Sequence, residues 1–238
     1  MSIVYLALWL ALAIYIIVLF RAERWINWAA FGVTFVAEAV LTAVLVQRAS
    51  RAGHWPLTNR YEFALSLVWM ILALYLLLEV DWRSERVLLP DDILVLGKVT
   101  TSRPLSSSGP FVLLIAVLIA TYAVTRPADQ QAVAPLLPAL RSTWLQIHGL
   151  TALLGYGAFA VAAGLALLQW GRGVVHERGF GQCETRHCSM HRVPTEEHIE
   201  REMLRAVALG FPWLTFSIVS GAIWAQQAWG RYWGWDPK

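Results

Sequence analysis

From Ile3 to Phe20 the chain runs for eighteen residues without a charged side chain. A stretch of about 20 mostly apolar residues is what a helix needs to cross the hydrocarbon core of a bilayer. In lipid every backbone N–H and C=O must find its partner within the protein, which leaves helices and closed barrels as the possible spans. Barrel strands alternate polar and apolar residues over about ten positions, and this run does not alternate. Five further apolar runs follow, so that predicted spans cover residues 2–20, 25–47, 62–80, 110–125, 144–170 and 206–228. The expected fold is all-α: a polytopic integral membrane protein of about six transmembrane helices, forming a single membrane domain over residues 1–238. Composition agrees, since 58% of residues are hydrophobic and 15% charged, against an apolar share of roughly 45–50% in soluble domains. The first run lacks a basic leader and a small-residue cleavage site, and so reads as a retained helix rather than a signal peptide. A kink is expected at Pro212 in the last span.

The connections give the orientation. Twelve of the nineteen Lys and Arg residues fall in segments 21–24, 81–109 and 171–205, and seven in 48–61, 126–143 and 229–238. By the positive-inside rule the first set is cytoplasmic and the N-terminus lies outside. Arg48–Arg60, Arg126–Thr143 and the C-terminal residues then share the outer face. The net charge of +3 is small and the basic residues sit between spans, so no nucleic-acid partner is expected; the lipid bilayer is. Glu38 is the only acid well inside a predicted span, and intramembrane carboxyls are functional candidates by default. A protonated glutamic acid hydrogen-bonded between helices is an equal reading of it. Cys183 and Cys188 are too few for a disulfide framework. With His187 and His191 they offer zinc-type ligands, but the spacing Cys183-x3-His187-Cys188-x2-His191 fits no common zinc pattern, and the group is expected to be dispensable.

Two features carry chemistry. The chain ends in Trp229-Gly230-Arg231-Tyr232-Trp233-Gly234-Trp235-Asp236-Pro237-Lys238, with three Trp and one Tyr within seven residues. An interfacial aromatic belt explains such rings. So does a flat platform for a planar ligand, where glycine lets the ligand approach the backbone. His148 stands at the outer start of the fifth span. Neutral imidazole is a good haem-iron ligand, although a lone histidine at a helix end is more often a satisfied interfacial residue. Ala152, Gly155, Tyr156 and Phe159 follow it at helical spacing, and their small members suit close helix packing.

The C-terminal run resembles the tryptophan-rich signature of the cytochrome c assembly family, which includes CcsA/ResC-type proteins and the related CcmC and CcmF. Leu209–Leu214 and Gly221–Ala225 are similar to the segments that lead into it. Pro56-Leu57-Thr58-Asn59-Arg60-Tyr61-Glu62 resembles a conserved-type P-L-[ST]-N-x-Y-E element of CcsA-type proteins, in which Thr58 and Asn59 suit a turn and Glu62 a helix cap. Pro138-Ala139-Leu140-Arg141-Ser142-Thr143-Trp144-Leu145-Gln146-Ile147-His148 resembles the stretch that carries the first external axial histidine. The resemblance implies that haem b is bound at the outer face of a bacterial cytoplasmic or thylakoid-type membrane. His148 would be an axial ligand of the haem iron, and Trp229, Trp233, Trp235 and Asp236 the aromatic loop. Charge placement adds Arg231 or Lys238 as partners of the propionates. Haem would be presented to apocytochrome c together with a ResB/CcsB-type membrane partner, as a haem transporter or component of a cytochrome c synthase of the System II type. No catalytic side chain is assigned, because the covalent chemistry belongs to haem and the apocytochrome thiols. The family pattern continues beyond the residue matching Lys238 with further helices and a second external histidine. By that comparison the chain is expected to be the first part of a longer core and inactive alone.

Two other classes compete. A membrane cytochrome b or quinone-linked respiratory subunit needs helix-borne histidine pairs, whereas five of the six histidines here fall in predicted connections. A solute transporter needs broken helices or paired polar residues at mid-membrane, and Glu38 alone is thin support.

Overall fold

The computed structural model describes residues 2–21, 23–88, 105–133, 140–177 and 194–235. The apolar runs form α1 (Ser2–Phe20), α2 (Arg24–Ala52), α3 (Arg60–Leu88), α4 (Gly109–Val124), α6 (Thr143–Glu177) and α7 (Glu196–Trp229). A one-turn helix α5 (Ala128–Gln131) follows α4, and a 3₁₀ turn, Leu105–Ser108, precedes it. All six long helices are apolar enough to cross a membrane. Their outward faces carry Leu6, Phe35, Leu118 and Ile218, all well exposed, on a scale that soluble proteins avoid. The molecule is a multi-pass membrane protein of all-α class, as the sequence predicts.

Helix ends are set by local chemistry. Gly53 and Gly230 take φ of 70° and 71°, the left-handed conformation that glycine adopts without a steric penalty. Their N–H groups close on the carbonyls of Ala49 and Gln226 at 2.9 Å each. At the start of α3, Asn59 Oδ1 accepts the Glu62 N–H at 2.8 Å. Glu62 Oε2 in turn accepts the Thr58 N–H at 3.1 Å and the Thr58 hydroxyl at 2.7 Å. This reciprocal arrangement is a close variant of the capping box. Glu62 Oε1 also takes the Arg48 Nε–H at 2.7 Å, so the cap of α3 is tied to the end of α2.

Lipid is as apolar as leucine, so close packing and hydrogen bonds must hold the helices together. α3 sits centrally against α2, α4 and α6, α1 packs on α2 and α4, and α7 lies along α6. The core includes Leu8, Tyr15, Leu41, Leu65, Ile71, Leu113 and Leu165. Polar ties cross it: Tyr15 donates to Glu79 Oε2 at 2.7 Å and Trp69 Nε1 to Thr42 Oγ1 at 2.8 Å. Backbones approach closely where α6 carries glycine. A Cβ on Gly164 would lie 3.0 Å from the Val112 nitrogen of α4, and one on Gly210 of α7 would lie 3.1 Å from the Gly155 carbonyl.

One expectation needs correction. α3, α6 and α7 extend well past their apolar windows, because a helix ladder satisfies its own backbone in water as well as in lipid. His176 and His198 therefore lie on helices, not in connections. Glu38 lies in the middle of α2, whereas Glu62 and Glu79, at the two ends of the third predicted span, are each 1% exposed. α7 carries Pro212 inside its helical span, where the sequence expects a kink.

Candidate functional site

One end of the bundle gathers the end of α4 and the starts of α3 and α6, and α7 returns antiparallel along α6 to finish there. Leu57, just before α3, packs on Gly149 of α6, where a Cβ would meet its Cδ1 at 3.1 Å. Ser217 of α7 meets His148 of α6, twelve residues before α7 ends at Trp229. Gly155 lies against Leu214 and Phe159 against Gly210, so the small-residue face after His148 does receive α7. Tyr156 departs from that face and is exposed.

His148 is half-buried and its ring is fixed from one side. Its Nδ1 lies 2.8 Å from the Ser217 carbonyl oxygen and 3.1 Å from Ser217 Oγ. A carbonyl oxygen can only accept, so Nδ1 carries a proton, and in the neutral imidazole Nε2 then keeps its lone pair. The Ser217 hydroxyl also reaches the His148 carbonyl at 3.2 Å. Beside His148 opens a groove of about 550 Å³, walled by Leu57, Arg60, Phe63, Ile119 and Tyr122 among others. Its volume lies within the roughly 300–1,000 Å³ usual for small-molecule sites. Arg60 is exposed there and forms no ion pair among the described residues.

The terminal aromatic residues lie beyond Gly230. Trp224 and Trp229 meet edge to face at 4.8 Å between centroids, as do Trp233 and Trp235 at 5.6 Å. Trp233 is 65% and Trp235 89% exposed, which leaves their faces open. None of these rings lines the groove beside His148. Arg231 folds over Gly234, whose added Cβ would lie 2.9 Å from the guanidinium carbon. Asp236 and Lys238 lie outside the described residues, as do Cys183, His187, Cys188 and His191. Among the described residues no cluster of metal-ligating side chains occurs. Glu38 keeps one buried carboxyl oxygen without a hydrogen-bond partner, away from this end. Sequence reasoning missed Ser217, Gly221, Arg60 and Tyr122. Arg60 and Gly221 stood within quoted motifs without a role of their own, and nothing in the linear chain pairs Ser217 with His148 across 69 residues.

A sequence profile described as Cytochrome C assembly protein matches residues 6–238. The chain belongs to the cytochrome c assembly protein family. Relatives of this family member are named cytochrome c biogenesis protein CcsA. The one from Synechococcus sp. (strain CC9902) is 34% identical over 219 residues, covering 85% of this chain and 66% of the relative. The one from Parasynechococcus marenigrum (strain WH8102) is 33% identical, covering 85% and 65%. That from Synechocystis sp. (strain ATCC 27184 / PCC 6803 / Kazusa) is 28% identical over 280 residues, covering 98% and 78%. This cytochrome c assembly family member therefore spans 66% and 65% of the length of the first two relatives.

Proposed function

We propose that this family member binds haem b for cytochrome c assembly at the end of the bundle where α6 begins and α7 ends, on the outer membrane face. The observation that carries the reading is His148: Nδ1 is committed to α7, so Nε2 is left as a free lone pair beside an open groove. This is the state in which imidazole ligates iron. In this reading His148 is an axial ligand, and Trp229, Trp233 and Trp235 supply stacking area on the order of 1 kcal/mol per ring beyond burial. Asp236 belongs to the same aromatic loop in this reading. Arg231, and Arg60 on the groove, are the cations for the propionates. Haem brings the iron and the groups that react with cysteine thiols; the protein's residues bind it, orient it and present it to apocytochrome c. A ResB/CcsB-type membrane partner belongs to the same proposal, as does placement in a bacterial cytoplasmic or thylakoid-type membrane.

The test is the absorbance of haem in purified His148→Gly protein. Haem retention is expected to fall, and imidazole in the buffer is expected to restore it in part by filling the vacated iron position. Trp233→Ala should lower retention without such restoration, because stacking area is lost rather than a ligand. An unaltered spectrum and full haem content in His148→Gly would make His148 an ordinary interfacial histidine.

Orientation is tested separately. With Cys183 and Cys188 removed, Asp129→Cys should label from outside the cell membrane and Ser189→Cys only after permeabilisation. Labelling of both from one side overturns the arrangement with the N-terminus outside.

A further inference from the structure

We infer that Ser217 and Gly221 of α7 are positioning residues for His148, holding its imidazole in the Nδ1–H tautomer with Nε2 directed away from α7. The inference rests on the reading of His148 as a haem ligand. It adds the residues that make it one.

Three observations converge on the ring. The first is the 2.8 Å contact from Nδ1 to the Ser217 carbonyl, which requires Nδ1 to donate. That carbonyl belongs to a residue only 2% exposed, where water does not compete and a hydrogen bond is strong. The second is the return contact, in which the Ser217 hydroxyl donates to the His148 carbonyl at 3.2 Å. Side chain and backbone of the two residues thus clasp each other across the helix pair. The third is steric. Gly221 is one turn beyond Ser217, and a Cβ there would stand 2.6 Å from His148 Nδ1 and 2.9 Å from Cε1. The imidazole therefore lies flush against α7 backbone, in space that only glycine leaves open. A ligating histidine almost always gives its second N–H to a carbonyl, carboxylate or water, and that partner sets orientation and donor strength. Here the partner is a backbone carbonyl, which cannot be mutated away, and Gly221 controls access to it.

The experiment follows haem retention and the absorbance spectrum of purified Gly221→Ala, Ser217→Ala, Ser217→Thr and His148→Gly proteins, each with and without imidazole. Gly32→Ala serves as a control, since a Cβ there meets nothing within 4 Å. Gly221→Ala is expected to weaken haem retention about 10- to 100-fold, the usual scale for loss of a ligand's supporting contact. Its spectrum should move to that of His148→Gly, and imidazole should restore both proteins. Ser217→Ala adds no atoms, and so serves where Gly221→Ala does not accumulate. It is expected to weaken retention about threefold, the scale of one hydrogen bond, with Ser217→Thr restoring it. Wild-type spectra in both Gly221→Ala and Ser217→Ala, beside a changed His148→Gly, overturn the inference while leaving His148 as ligand. So does a loss in Gly221→Ala that imidazole does not restore, since that is the mark of packing damage alone. If His148→Gly itself is unchanged, the haem reading has failed first, and this inference with it.

Discussion

Glu62→Leu is expected to lower the stability of the folded bundle by about 3 kcal/mol, the scale for stripping one partner from a buried ion pair. Glu62 is 1% exposed and its carboxylate is fully engaged, taking Arg48 on one oxygen and two Thr58 donors on the other. Leucine keeps the volume and removes every acceptor. Arg48 is left 13% exposed at its side chain, with, among the described residues, the Ala132 carbonyl at 3.1 Å and the Tyr61 ring at 5.0 Å to hold it. The cap of α3 also loses its Glu62–Thr58 half, while Asn59 still accepts the backbone N–H of residue 62, and the ion-pair tie between α2 and α3 is gone. Detergent-solubilised protein titrated with SDS and followed by helical circular dichroism gives the measurement. Arg48→Met should cost less, because it leaves a carboxylate that Thr58 still satisfies. The double variant should recover part of the loss, since two apolar residues leave no unpaired charge. A Glu62→Leu midpoint equal to that of the wild type would mean that the cap and the ion pair are structurally idle.

Gly109→Ala should be similarly costly, at about 3 kcal/mol, from one methyl group. Gly109 opens α4 directly against the ring of Tyr15 in α1, and its Cβ would stand 2.6 Å from both Cγ and Cε1. Tyr15 is fully buried and packs edge to face on Tyr75 at 5.8 Å, so the ring has nowhere to turn. Its hydroxyl is bonded to the buried Glu79 at 2.7 Å. Moving the ring weakens that bond, and an intramolecular hydrogen bond contributes roughly 0.5–1.5 kcal/mol net. The same SDS titration reads the loss. Tyr15→Phe in the Gly109→Ala background separates the causes: if the hydroxyl contact is the part lost, the second change adds little. Full additivity would assign the effect to overpacking alone.

The six helices were legible because the bilayer imposes a length and a composition on each. Where the bilayer stops dictating, so did the sequence. The extension of α3 through Asp81 and Arg83, and of α7 back to Glu196, is helical backbone over charged sequence, which hydropathy cannot mark. The turn at Thr58, Asn59 and Glu62 was readable because capping is local chemistry over four residues. The clasp between His148 and Ser217 was not, because it depends on the register in which α7 lies along α6. That register is set by contacts such as Gly155 on Leu214 and Phe159 on Gly210, which no single residue announces. The aromatic end kept two readings for a similar reason. A ring count gives area, and only the fold shows Trp233 and Trp235 with open faces, off the groove that His148 borders.

Were α7 to move on α6, it would act as a lever. It is 34 residues long, or about 51 Å at 1.5 Å per residue, and it leans along α6. Its fulcrum is the glycine contact between Gly210 and Gly155. On the far arm, Ser217 grips the imidazole, and about 18 Å further on, at 1.5 Å per residue, the rod ends in Trp229. A roll of α7 by a single residue's turn, about 100°, would carry the Ser217 carbonyl off His148 and swing the aromatic end through the same arc. The carbonyl that holds His148 Nδ1 and the terminal Trp229 thus ride on one helix, and a roll of α7 cannot shift one while the other stands still.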